Sequence, residues 1–227
     1  MNTNGTATTG TISTGVVVLI SGRGSNLNAM CHSGIGKQIK CVISNNPYAK
    51  GLLTATEHGI PTAIINHTLY STRKEFDSEL AKLIDVYSPK LIVLAGFMRI
   101  LTNDFVERYF GRLINIHPSI LPAFPGVDAQ TAAFNTKVKV SGATVHYVTP
   151  TLDQGPIIAQ GIVPVEDTDT RESLALRILN LEHIIYPFII QKILDNKVTI
   201  MNNNQIQVTK DSQDMLNLGV YHQQIFY

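Results

Sequence analysis

The chain has 227 residues, of which 44% are apolar, enough for a continuous core in one α/β domain. A formal net charge of +1, with Lys and Arg scattered, leaves no basic stripe for a nucleic acid or a membrane surface, so the expected partners are small molecules. Cys31 and Cys41 have no metal-type spacing and are too few for a disulfide framework, which fits a cytoplasmic chain.

Residues 1–14 are rich in Thr, Gly and Ser with neither a basic start nor an apolar centre, so a flexible tail is expected rather than a signal peptide. Val16-Val17-Val18-Leu19-Ile20 is a short β-branched run of the kind used by a parallel strand buried on both faces, and a helix should begin near Asn26. Residues 39–44 read as a second strand. Residues 49–58, closed by Gly59 and Pro61, read as a helix with its stop signal, and 62–65 as a third strand. Ser71 or Thr72 can cap a helix reaching Tyr87, with Phe76, Leu80, Leu83, Ile84 and Tyr87 at helical spacing before Ser88-Pro89 breaks it. Residues 91–95 form a fourth strand, 102–110 a short helix, and 113–117 a fifth strand. That strand should stop at Pro118, which has no amide hydrogen and holds His117 extended.

This alternation argues for a mostly parallel, helix-covered sheet. The second half differs: runs at 143–148 and 157–165 are joined by a loop too short for a helical crossover, so they should pair antiparallel. A long helix over about 170–196 follows, with Asp169 or Thr170 as cap and Pro187 marking a kink. Beyond it lies one weak strand candidate. There is no internal repeat, and no apolar run approaches the ~20 residues of a membrane-spanning helix.

Four stretches carry chemistry. Asn115 and His117, two apart on one strand, face the same side and offer an amide donor beside a titratable imidazole, a minimal kit for acyl transfer; alternatively both satisfy loop carbonyls. Ser21-Gly22-Arg23-Gly24-Ser25-Asn26-Leu27 joins the first strand to the first helix, where small residues let backbone amides turn toward a phosphate. Leu27 stands where a dinucleotide fingerprint needs its third glycine, and a tight turn capping a helix is the plainer reading. Gly96-Phe97-Met98-Arg99-Ile100-Leu101 leaves the carboxyl end of the fourth strand and either lines a pocket for a flat ligand or is ordinary core. Asp153, in the loop Thr149-Pro150-Thr151-Leu152-Asp153-Gln154-Gly155-Pro156, either bonds its own backbone as a turn former or, if brought to His117, orients the ring and favours its protonated form.

Taken together, Asn115-Ile116-His117-Pro118-Ser119, Leu152-Asp153-Gln154-Gly155, the Gly22–Leu27 loop and the run from Leu94 to Leu101 closely resemble the phosphoribosylglycinamide formyltransferase (glycinamide ribonucleotide transformylase) family over about residues 15–196. The Asn-x-His and Leu-Asp-x-Gly pair marks the wider group of formyltetrahydrofolate-using enzymes, and the Gly-Ser-Asn loop and short length narrow it. The resemblance implies an α/β, mostly parallel Rossmann-like formyltransferase sheet with an antiparallel C-terminal part and helices on both faces. It implies a tail at 1–14, a nucleotide-binding half at 15–112, a catalytic half at 113–196 and an extension at 197–227.

The implied reaction moves the formyl group of the co-substrate 10-formyltetrahydrofolate, without metal, to the primary amine of glycinamide ribonucleotide in de novo purine biosynthesis. The positions matching catalytic residues are Asn115, His117 and Asp153. Gly24, Ser25 and Asn26 match the holders of the nucleotide phosphate, and Glu182 matches a ribose contact, otherwise a solvated helix position. Arg73, Met98, Arg99, Ile100, Leu101 and Asn115 match folate-binding positions, although Arg73 alone would read as a surface cation. After Pro125-Gly126 the family carries a His that Val127-Asp128-Ala129-Gln130-Thr131 lacks. A monomer or homodimer is implied. The rivals are a formyltetrahydrofolate deformylase, whose family has an added regulatory domain in front, a methionyl-tRNA formyltransferase, longer and with a basic C-terminal domain, and a non-catalytic nucleotide-binding module.

Overall fold

The computed structural model describes residues 14–201 and 205–209. Five parallel strands come first: β1 (Val16–Ile20), β2 (Ile39–Ser44), β3 (Thr62–Ile64), β4 (Leu91–Leu94) and β5 (Leu113–His117). They alternate with α1 (Ser25–Cys31), α2 (Gly51–Glu57), α3 (Arg73–Tyr87), α4 (Asn103–Arg108) and α5 (Ala129–Thr136). β6 (Val140–Tyr147) and β7 (Ile157–Pro164) then run antiparallel, α6 (Arg171–Leu194) returns across the sheet, and β8 (Val198–Ile200) pairs with β9 (Ile206–Val208) in a separate ribbon. The large sheet has the order β3-β2-β1-β4-β5-β6-β7.

Because successive strand residues face opposite sides, β1 feeds two cores. Val16, Val18 and Ile20 pack with Leu27 and Met30 of α1 and with Leu174, Ile178, Leu181 and Ile190 of α6. Val17 and Leu19 pack with Phe76, Leu80 and Ile84 of α3 and with Phe105 and Val106 of α4. Thr72 caps α3 and Thr170 caps α6, each in a reciprocal box with the residue three positions on. The order turns back between β1 and β4, so the loops leaving their carboxyl ends splay apart and open a crevice there.

The structure departs from expectation at α5, along α6 and in the segment after it. α5 was not predicted: its sequence, Ala129-Gln130-Thr131-Ala132-Ala133-Phe134-Asn135-Thr136, buries only Ala129 and Ala133 and so shows little periodic contrast. α6 is long and apolar enough to cross a membrane by length and composition, although charged residues interrupt the run; it is the core helix beneath the sheet, burying Leu174, Ile178, Leu181, Tyr186, Ile189 and Ile190. α6 runs through Pro187, which is buried within it. The weak strand after α6 is in fact a two-strand ribbon, with Val198 buried against the core.

Candidate active site

The loop from β1 to α1 is built to bring backbone close to a ligand. Gly24 takes φ +75°, and a Cβ there would lie 2.6 Å from the Cα of Gly51, so only glycine lets the two loops touch. No side chain caps α1, which leaves its first amides uncapped at the edge of the crevice. Asn26 is buried, and its Nδ2 donates to Glu182 Oε2 at 2.6 Å while its Oδ1 has no protein partner. Burial pushes the Glu182 carboxyl up to about 7, with the Asn26 hydrogen bond pulling the other way. Met98 N–H donates to Ser21 Oγ at 2.7 Å, and Ser21 Oγ donates to Asn45 Oδ1, so the loops after β1, β2 and β4 are knotted together. These residues line a cavity of about 630 Å³ with Gly24, Ser25, Arg99, Ile116, Gln130 and Glu182.

On the other face of β5 a row of polar side chains replaces the apolar pattern. In the antiparallel register Asn115 stands opposite His146, and His117 opposite Thr144. The His117 ring is buried, with Nε2 2.8 Å from the Phe124 carbonyl and Nδ1 3.5 Å from Asp153 Oδ2. Both ring nitrogens therefore face acceptors, and only a ring carrying both protons can donate to both. Asn115 Nδ2 is 3.4 Å from His146 Nε2, and His146 Nε2 is 3.9 Å from Asp153 Oδ1.

The loops that close this row are fixed by the strands beneath. Thr144 Oγ1 donates to the Ser119 carbonyl at 2.7 Å and accepts the Leu121 N–H at 3.0 Å, and Gln160 Nε2 donates to the Leu121 carbonyl at 2.7 Å. Asp153 Oδ2 accepts the Gly126 N–H at 2.7 Å, joining the two loops over His117. Phe124 and Asp153 both sit in the left-handed region, at φ 54° and 53°, a strain of order 1 kcal/mol each that these hydrogen bonds hold in place. Gly155 completes the turn: a Cβ there would lie 1.7 Å from the Tyr147 carbonyl oxygen.

Asn115, His146 and Asp153 line a second cavity of about 110 Å³ with Arg99, Ile100 and Leu101. Met98 and Arg99 also border the larger cavity, and the Arg99 guanidinium lies 5.4 Å from the Phe76 ring with its buried Nε unpartnered. Of the site residues expected from sequence, all but two line one of the two cavities: His117 is buried behind them beside Asp153, and Arg73 is exposed in the first turn of α3.

Residues 14–190 match the formyl transferase family. The chain belongs to it. This formyl transferase is 42% identical to phosphoribosylglycinamide formyltransferase of Escherichia coli (strain K12), over 83% of this chain and 91% of that protein. It is 44% identical to the human trifunctional purine biosynthetic protein adenosine-3 over 86% of this chain, although it spans only 20% of that protein's length. Among solved structures, phosphoribosylglycinamide formyltransferase from Coxiella burnetii in complex with CHES superposes with a TM-score of 0.81 and 45% identity, covering 85% of this chain and 92% of that one. The enzyme from Anaplasma phagocytophilum gives 0.79 and 43%, covering 86% and 94%.

Sequence reasoning missed His146, the Phe124 carbonyl, Asn45 and Gln130 in this formyl transferase. His146 and Thr144 had left a signal, two polar residues at strand spacing in an apolar run just before the Asp153 loop. The segment without the family's His supplies Gln130 to the larger cavity, from a helix whose first flanking residue, Asp128, takes φ 60°.

Proposed function

We propose that this formyl transferase moves the formyl group of 10-formyltetrahydrofolate to the primary amine of glycinamide ribonucleotide, giving N-formylglycinamide ribonucleotide and tetrahydrofolate. The observation that carries the reading is that one strand end serves two cavities: Ile116 borders the larger, Asn115 the smaller, and Arg99 both. A nucleotide in the larger and a folate in the smaller would meet at Asn115, His117 and Asp153. For the nucleotide, the uncapped amides around Gly24, Ser25 and Asn26 suit a phosphate. The free Asn26 Oδ1 and the Glu182 carboxyl suit hydroxyl donors. For the folate, Ile100 and Leu101 offer an apolar edge beside the smaller cavity, which at about 110 Å³ takes only the reacting end of that molecule.

The chemistry follows from the donors. Attack of the amine nitrogen on the formyl carbon forms a C–N bond and places negative charge on the formyl oxygen, which the Asn115 amide and a His117 N–H can meet; one such donor is worth on the order of 3 kcal/mol. With Nε2–H held by the Phe124 carbonyl, Nδ1 is the nitrogen left to exchange protons beside Asp153. The amine gives up a proton, the bond from the formyl carbon to the folate nitrogen breaks, and that nitrogen takes a proton, relayed by Nδ1 or an ordered water.

The test is an absorbance assay for loss of formyl from a 10-formyl folate, with and without glycinamide ribonucleotide. Release that requires the amine supports the reading. Equal rates in its absence would mean transfer to water and overturn it in favour of a deformylase, and no folate turnover or binding would leave a nucleotide-binding module.

A further inference from the structure

We infer that His146 is a positioning residue that fixes which edge of the Asn115 amide is offered to the formyl oxygen. His146 is buried on β6 directly opposite Asn115, and its ring has three polar neighbours. Nδ1 lies 2.9 Å from the Tyr147 carbonyl oxygen, an acceptor only. Nε2 lies 3.4 Å from Asn115 Nδ2 and 3.9 Å from Asp153 Oδ1. The short contact decides the tautomer. If the single proton of a neutral ring sat on Nε2, the Nδ1 lone pair would face the Tyr147 lone pairs at 2.9 Å, in exchange for a donor still 3.9 Å from Asp153. The proton therefore sits on Nδ1 and donates to Tyr147, and Nε2 is an acceptor. Burial holds the ring below the usual histidine range, with Asp153 and the Tyr147 hydrogen bond opposing and the nearby His117 reinforcing the drop.

An acceptor at Nε2 breaks the symmetry of the Asn115 amide. With Nδ2 toward the ring, one N–H is donated to Nε2 and the other is left for a ligand in the cavity that Asn115 lines. With the amide flipped, Oδ1 would face the Nε2 lone pair and the site would lose its donor geometry. An oxyanion needs a donor, so the flip that His146 excludes is the one useless for acyl transfer. Gly155 belongs to the same device: lacking a Cβ, it lets the loop carrying Asp153 pass against the very carbonyl that fixes the His146 tautomer.

The rate arm of the test rests on the formyl-transfer reading; a second arm does not. His146→Leu fills the space without an acceptor, and His146→Gln restores one near the Nε2 position. We expect kcat to fall about 30- to 100-fold in His146→Leu with both KM values within about threefold, and most of the loss to be recovered in His146→Gln. In an Asn115→Ala background His146→Leu should cost little more, because His146 acts only through that amide. Equal impairment of the Leu and Gln variants, or a full additive loss in the Asn115→Ala background, overturns the proposal. The second arm is a ¹⁵N NMR measurement of the His146 ring in the unmodified enzyme, which needs neither substrate nor a folded variant. The Nδ1–H tautomer supports the proposal, and an Nε2–H tautomer overturns it even if formyl transfer is observed.

Discussion

Asn26 and Glu182, on α1 and α6, are joined by a 2.6 Å hydrogen bond at the floor of the larger cavity. The bond ties the first turn behind the Gly24 loop to the helix that crosses the sheet, so two walls of that cavity are held together by it.

Glu182 makes stability depend on pH. Its carboxyl titrates near 7 when folded and near 4.3 in an unfolded chain, so between these values the native state keeps a proton that the unfolded state has released. Stability is therefore fully present below about pH 4.3 and declines as pH rises to about 7, by on the order of 3 kcal/mol. Glu182→Gln keeps an acceptor for Asn26 and does not titrate. Denaturant melts at about pH 4.5 and about pH 7.5 should show the variant gaining on the parent at the higher pH, while its KM for glycinamide ribonucleotide rises. A parallel pH dependence in both proteins would contradict the assignment.

Asp153 offers a cleaner separation of charge from shape. In Asp153→Asn the amide oxygen can still accept the Gly126 N–H, so the two loops over His117 should stay joined. What is lost is the negative charge 3.5 Å from His117 Nδ1. Turnover should fall about 10² to 10⁴-fold with an unchanged melting midpoint and unchanged affinity for both substrates. Calorimetric binding beside steady-state rates tests this; loss of binding along with rate would make Asp153 a loop tether only.

The sheet was legible because β1, β2, β4 and β5 are short apolar runs separated by helical segments, and those signals are local. The partners of the site residues were less so. Nothing in the order of residues says that the Phe124 carbonyl will meet His117 or that β6 will set His146 against Asn115, since these follow from strand register and from two left-handed residues. Asp153 reached His117 because Gly155 tightens the loop against Tyr147, a contact that a turn signal leaves unspecified. Arg73 was assigned to folate by motif position alone, and it stands exposed in the first turn of α3 outside both cavities.

Gly24→Ala tests whether the loop conformation is obligatory. The left-handed φ of +75° costs a side-chain-bearing residue roughly 1–2 kcal/mol. The new Cβ also meets backbone, the Gly51 Cα at 2.6 Å, which cannot rotate away. A loss of at least ~2 kcal/mol is expected in the denaturation midpoint, with a raised KM for the nucleotide in whatever fraction folds. A variant as stable as the parent would show that the α1 and α2 loops can separate without cost.

Ser25 decides which ligand the loop serves. It is half-buried at the first position of α1, beside uncapped amides, and lines the larger cavity but not the smaller. Ser25→Asp puts a carboxylate where a phosphate would sit; the helix start tolerates the charge, so folding should be kept while the ligand's own charge is repelled. KM for glycinamide ribonucleotide should rise about 10²-fold or more, with the folate KM within about threefold. The loss should shrink as salt is raised, because part of it is charge repulsion that ions screen. A Ser25→Asp enzyme that bound folate poorly and the nucleotide normally would place the folate in the larger cavity and reverse the assignment of both.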